Sequence, residues 1–100
     1  MREHRYWVDI MTSSSLGAMY IGATNDLGRR VIEHRLGKGS EFVKQYKVSR
    51  LVYAGGFEQI EEATAREKQL KGWKRIRQNE LVRAANPEWN DLMPSVKVAP

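Results

Sequence analysis

Two extended runs joined by a polar turn, near the start of the chain, limit its architecture more than any other feature. Tyr6-Trp7-Val8-Asp9-Ile10-Met11 has the β-branched and aromatic residues of a strand. Thr12-Ser13-Ser14-Ser15-Leu16-Gly17 is turn chemistry, and Ala18-Met19-Tyr20-Ile21-Gly22 resumes an extended run. The pair reads as a β-hairpin with a loose polar loop. Arg50-Leu51-Val52-Tyr53-Ala54 reads as a third strand, closed by Gly55-Gly56.

Helical signals fill the intervals. Asn25 or Asp26 is placed to cap a helix running through Leu27, Arg30, Val31 and His34 to Leu36, with Gly37 as its stop. Glu41 to Tyr46 suits a short helical turn. Ile60 to about Lys74 is the clearest helix, rich in Ala, Glu, Lys, Gln and Leu. A last helix is expected from Arg77 to Ala85, stopped before Pro87. The order ββαβαα implies an α/β (α+β) fold, a small three-stranded, mainly antiparallel sheet flanked by helices. One domain is expected over residues 1–92, with 93–100 a loose tail lacking periodicity.

Charge narrows the partners. Lys+Arg 17 against Asp+Glu 12 gives a net charge of +5, which favours polyanions. No apolar run is long enough for a membrane span, and Met1 to Arg5 lead into no signal-peptide core. With no cysteine, thiolate zinc sites and disulfides are excluded, and two histidines do not make a histidine-rich site. Any metal must rely on oxygen ligands, which points to Mg2+ or Mn2+. A cytoplasmic location is expected, because a reducing compartment suits a chain without disulfides.

The informative residues are polar groups on faces that should be apolar. Ile60, Ala63, Leu70 and Trp73 follow the spacing of a buried stripe, and Glu67 lies in its middle. A carboxylate there must be paired, protonated or bound to a cation. The bland alternative bridges it to Arg66, Lys68 or Lys71. On the earlier helix, Arg30 and His34 lie one turn apart beside the inner face marked by Leu27 and Val31. Arginine offers a donor fork for phosphate, and histidine exchanges protons near neutrality. The alternative is a snorkelling arginine and a satisfied histidine. Arg66, Lys68, Lys71, Lys74, Arg75 and Arg77, interleaved with Trp73, suit a surface that tracks a phosphate backbone, or simply a solvated helix face.

Tyr20-Ile21-Gly22, then Asn25-Asp26-Leu27-Gly28-Arg29-Arg30, then Ala63 to Lys71, and finally Asn86-Pro87-Glu88-Trp89-Asn90-Asp91-Leu92, appear in order. This set resembles the GIY-YIG nuclease superfamily, in particular its small single-domain bacterial branch related to the endonuclease subunit of nucleotide-excision repair. The resemblance implies metal-dependent, in-line hydrolysis of a phosphodiester. By the same resemblance Glu67 holds the metal, Arg30 stabilises the transition-state phosphate and Tyr20 orients or deprotonates the attacking water. His34 stands where some members carry a catalytic His or Tyr. Gly22 and Asn79 support the site. Arg29, Lys38, Lys71, Lys74 and Arg75 are the expected nucleic-acid contacts.

The departure from the pattern is Asp9, which stands where the family places a tyrosine on the first strand. An aspartate is shorter and, at its reference pKa, a much weaker base, so a slow enzyme is expected. Its bland alternative is a solvated strand residue with no role. Period-two alternation puts Tyr6 on the opposite face from Asp9, so Tyr6 does not replace the missing tyrosine. Three functions fit the chain: an endonuclease on DNA or, second, RNA; a nucleic-acid-binding module without turnover; and an adaptor in a repair complex. A homodimer or a repair-protein partner would supply the selectivity that so small a domain lacks.

Overall fold

The computed structural model describes residues 4–13 and 17–93. Its elements run β1 (Tyr6–Thr12), β2 (Met19–Thr24), α1 (Leu27–Arg35), α2 (Glu41–Tyr46), β3 (Arg50–Phe57), α3 (Ile60–Lys71) and α4 (Arg75–Ala85). The three strands form one antiparallel sheet in the order β2-β1-β3, with Asp9 opposite Gly22 on one side and Ala54 on the other. The expected α+β sheet with flanking helices is therefore present, and the short helical turn expected over Glu41 to Tyr46 is α2, between α1 and β3.

Alternation along β1 sends its side chains into two cores. Val8 and Ile10 join Ile21, Val52, Ala63, Leu70, Val82 and Trp89, with Tyr6 packed against them. Met11 joins Val31, Val43, Val48 and Leu51 on the other face. Helices α3 and α4 cover the first face, while α1 and α2 cover the second. Tyr6 and Asp9 are thus on opposite faces, as alternation demands.

Caps set the helix boundaries. The Asp26 side chain accepts from the Arg29 amide at 3.0 Å and starts α1. Gly37, at φ +72, takes the left-handed conformation that follows its end. Ser40 caps α2 in the same way through the Val43 amide.

Four expectations need correction. Gly55 and Gly56 do not close β3; both pair with β1, opposite Val8 and Trp7, and the strand continues to Phe57. The clearest helix ends at Lys71, where Gly72 caps it, and the last helix begins two residues early at Arg75. Ile60 is half exposed rather than part of the buried stripe, because it stands in the first turn of α3, bordering a groove with Tyr6, Thr24 and Ala63. Of the expected loose tail only Met93 is described: its amide donates to Asp91 Oδ1 at 3.1 Å and its carbonyl accepts from the Arg35 guanidinium at 3.0 Å, while 94–100 lie outside the described residues.

The segment after α4 is a clasp on β3. The Asn86 side chain donates to the Val52 carbonyl at 3.1 Å, and the Leu92 amide donates to Leu51 at 2.8 Å. Asp91 accepts from the Leu51 amide and pairs with Arg35 at 2.5 Å. Trp89, at φ +56, turns inward to a buried position in the first core.

Candidate active site

The β2 strand and α1 bring the first group together. Gly22 sits beside Asp9 in the sheet, and Tyr20, two residues earlier on the same strand, shares its face. Arg30 reaches down from α1. One guanidinium nitrogen donates to the Tyr20 hydroxyl oxygen at 2.9 Å and the other donates to the Ala23 carbonyl at 2.6 Å. This pair occupies the space over Gly22: a Cβ there would strike the Arg30 Nη1 and lie 2.7 Å from the Tyr20 ring. The glycine is required by the close approach of those two side chains.

His34, one helical turn after Arg30, is buried and meets the Tyr20 ring edge-on at a centroid distance of 4.9 Å. Burial, reinforced by the Arg30 charge, holds its pKa below the usual histidine value; a backbone hydrogen bond with Val48 and the Glu33 charge oppose this. The neutral ring therefore prevails at pH 7, and its Nδ1 has no hydrogen-bond partner within the protein.

Asp9 is entirely buried, which removes the reading of a solvated strand residue. Its Oδ1 lies 3.6 Å from Arg30 Nη1, an ion pair without a hydrogen bond, and neither carboxylate oxygen has a hydrogen-bond partner. Burial pushes its pKa up to about 6; Arg30 and Lys71 pull it down, and the Glu67 carboxylate pushes it further up. Asp9 is a stronger base than an ordinary aspartate. It is also an anion placed against the arginine that would otherwise face a ligand.

Glu67 lies on α3 between buried Ala63 and Leu70 with its carboxylate partly accessible, and Lys71 is its partner at 3.6 Å. Its charge and that of Arg30 both act on the Asp9 carboxyl, from α3 and α1 respectively. Tyr20 and Lys71 also line one groove, so the α3 and β2 sides of the site are continuous.

The remaining expected residues divide. Arg29 is exposed and pairs loosely with Glu33 at 3.8 Å, bordering a second groove with Arg30. Lys38 and Lys74 are exposed. Arg75 is fixed by bonds to the Gly17 carbonyl at 2.6 Å and to Asn79 Oδ1 at 2.9 Å. Asn79 thus orients a cation at the groove. Phe42 also lines that groove and was not among the expected residues. Its signal was available: Phe42 and Tyr46 lie four apart on a short helix whose single buried residue is Val43.

Among the described residues no cluster of three or more His, Asp and Glu side chains is arranged to hold a metal. Magnesium does not require one, since it commonly binds through one or two carboxylates and completes its shell with water and phosphate. The partly accessible Glu67 carboxylate fits that requirement. No helix among the described residues is long and apolar enough to cross a membrane.

Comparison with known proteins gives the family. The chain matches the model of the GIY-YIG catalytic domain over residues 5–80. It is 39% identical over 66 residues to a UPF0213 protein of Streptococcus pneumoniae serotype 4, covering 66% of this chain and 67% of that one. It is 31% identical over 75 residues to a UPF0213 protein of Bacillus pumilus, covering 75% and 76%. The solution structure of the UPF0213 protein from Bacillus halodurans superposes with a TM-score of 0.54 at 30% identity, over 92% of this chain and 98% of that one. The domain is of the nuclease type, and the chain belongs to the GIY-YIG family.

Proposed function

We propose that the protein is an endonuclease that hydrolyses phosphodiester bonds in nucleic acid, DNA before RNA, with one divalent metal. The observation that carries this reading is the packing of Arg30 against Tyr20 over Gly22, with His34 edge-on to the Tyr20 ring and the partly accessible Glu67 carboxylate on α3. Two rigid donors, a phenol and a neutral imidazole are the groups needed to hold a phosphate and direct a water at it.

Glu67 would hold Mg2+ or Mn2+, which supplies Lewis-acid neutralisation of charge on the phosphate. Binding a cation requires Lys71 to give up its pairing with that carboxylate. Arg30 is already fixed by Tyr20 and Ala23, so its charge is preorganised for the transition state and costs little rearrangement. The Tyr20 hydroxyl accepts from Arg30, and its own proton is not used in that bond. Tyr20 therefore orients the water, and the neutral His34 ring packs edge-on against it and holds it in place. Asp9 restrains Arg30 by charge and makes this enzyme slow.

The same aspartate favours a second reading. An anion buried against Arg30 weakens its grip on an incoming phosphate, which suits a binding module or repair-complex adaptor without turnover. The test is cleavage of flaps, junctions, single strands and abasic duplexes with Mg2+ or Mn2+. Product that disappears on adding chelator supports the enzyme; its absence on every substrate, with binding retained, supports the module.

A further inference from the structure

The groove beside the catalytic group has a chemical character of its own. It lies between α2, β2 and the α3–α4 junction, with a volume of about 550 Å³. That is within the range of roughly 300–1,000 Å³ typical of small-ligand sites. Met19, Tyr20, Phe42, Lys71 and Arg75 line it, and none of its lining residues is acidic. Tyr20 belongs both to the groove and to the Arg30 cluster, so a group in the groove adjoins whatever Arg30 holds.

Phe42 lines the groove, and Tyr46 packs against it from outside the lining. Phe42 and Tyr46 are 42% and 48% exposed and stack on each other at a tilt, with ring centroids 4.9 Å apart. Two adjacent aromatic rings left in water at the mouth of a cationic groove mark a binding surface. Its inner wall carries a fixed charge: Arg75 is pinned by Gly17 and Asn79 and so presents its guanidinium in one place. Cations that follow a backbone, next to an aromatic face, are how proteins bind unpaired nucleotides. A duplex has its base faces already stacked and offers none to Phe42.

We propose that this groove binds an unpaired nucleotide next to the bond to be cut, with its base on Phe42 and a phosphate between Lys71 and Arg75. The inference rests on the nucleic-acid reading above and narrows the substrate to strands that are single or splayed at the cleavage point.

The test is metal-free binding by the full chain, in chelator, of an oligonucleotide carrying one 2-aminopurine, presented as a single strand and as a duplex. The single strand should bind more tightly, with a fluorescence change that reports stacking. Phe42→Ala should weaken single-strand binding about tenfold, as loss of one base–aromatic stack does. Phe42→Trp should restore it, and duplex binding should be the same in all three proteins. Circular dichroism of Phe42→Ala confirms an intact fold, and if that variant unfolds, the fluorescence response of wild type and Phe42→Trp decides. Equal affinity for single strand and duplex, or single-strand binding indifferent to Phe42, would overturn the proposal. So would sedimentation showing that the aromatic face is buried against a second copy of the chain. Failure to cleave, with strand binding intact, would remove the nuclease reading and leave this one standing.

Discussion

Asp9 is the residue at which burial and charge disagree most. An aspartate free of the fold has a pKa of 3.8, and burial pushes that of Asp9 up to about 6. The folded state therefore holds the proton more tightly, and its contribution to stability is full below the lower value. It is lost as pH rises through the upper one, a penalty of about 3 kcal/mol above it. Urea unfolding in chelator should show stability falling between these two pH values and then levelling. Asp9→Asn should flatten that slope and be the more stable protein at pH 8, by about 1–3 kcal/mol. The same variant removes an anion beside Arg30 and should cleave several times faster in single-turnover assays. Identical pH profiles for the two proteins would mean that Asp9 titrates normally. Glu67→Gln should abolish metal-dependent cleavage while leaving the melting temperature within a few degrees, because the swap keeps size and loses only charge. Arg30→Ala should lower turnover much more than strand affinity, the signature of a transition-state contact.

At the scale of elements, the site depends on where α1 begins. Arg30 and His34 are one turn apart, so a start shifted by one residue would rotate both away from Tyr20. Asp26 fixes that start by accepting the Arg29 amide. Asp26→Ala should cost about 1 kcal/mol of stability, and it should reduce cleavage more than that loss explains, measured at a temperature where both proteins are folded. The cap was legible in the sequence, as were the hairpin and α3, because each carries its own local signal. The limits of β3 were not. Gly55-Gly56 has the composition of a turn, yet pairing with β1 satisfies its backbone, and a neighbouring strand cannot be read from the residues it pairs with. Arg30, His34 and Glu67 stood out because they interrupt apolar spacing. The groove did not, since Phe42 and Arg75 come from elements far apart in sequence and meet only through the fold.

Across the whole molecule, cations exceed anions by five, and Arg29 borders one groove while Lys71 and Arg75 border the other. If Arg29, Lys71, Lys74 and Arg75 neutralise about three to four phosphates, log K should fall with log salt at a slope of roughly −2 to −4. Titrations from low to moderate salt measure it, and a flat response would rule out phosphate contacts as the source of binding. The clasp formed by Asn86 and Asp91 has a further consequence at this scale. β3 is an outer strand of the sheet, and such a border offers unpaired amides and carbonyls on which another chain can add a strand. Here the Leu51 amide, the Leu51 carbonyl and the Val52 carbonyl are already taken by Asp91, Leu92 and Asn86. The closing signature thus works as a selvedge: it keeps the protein from growing its sheet into a neighbour. Asp91→Ala combined with Asn86→Ala should therefore show self-association that rises with concentration in light scattering, beyond any loss of melting temperature.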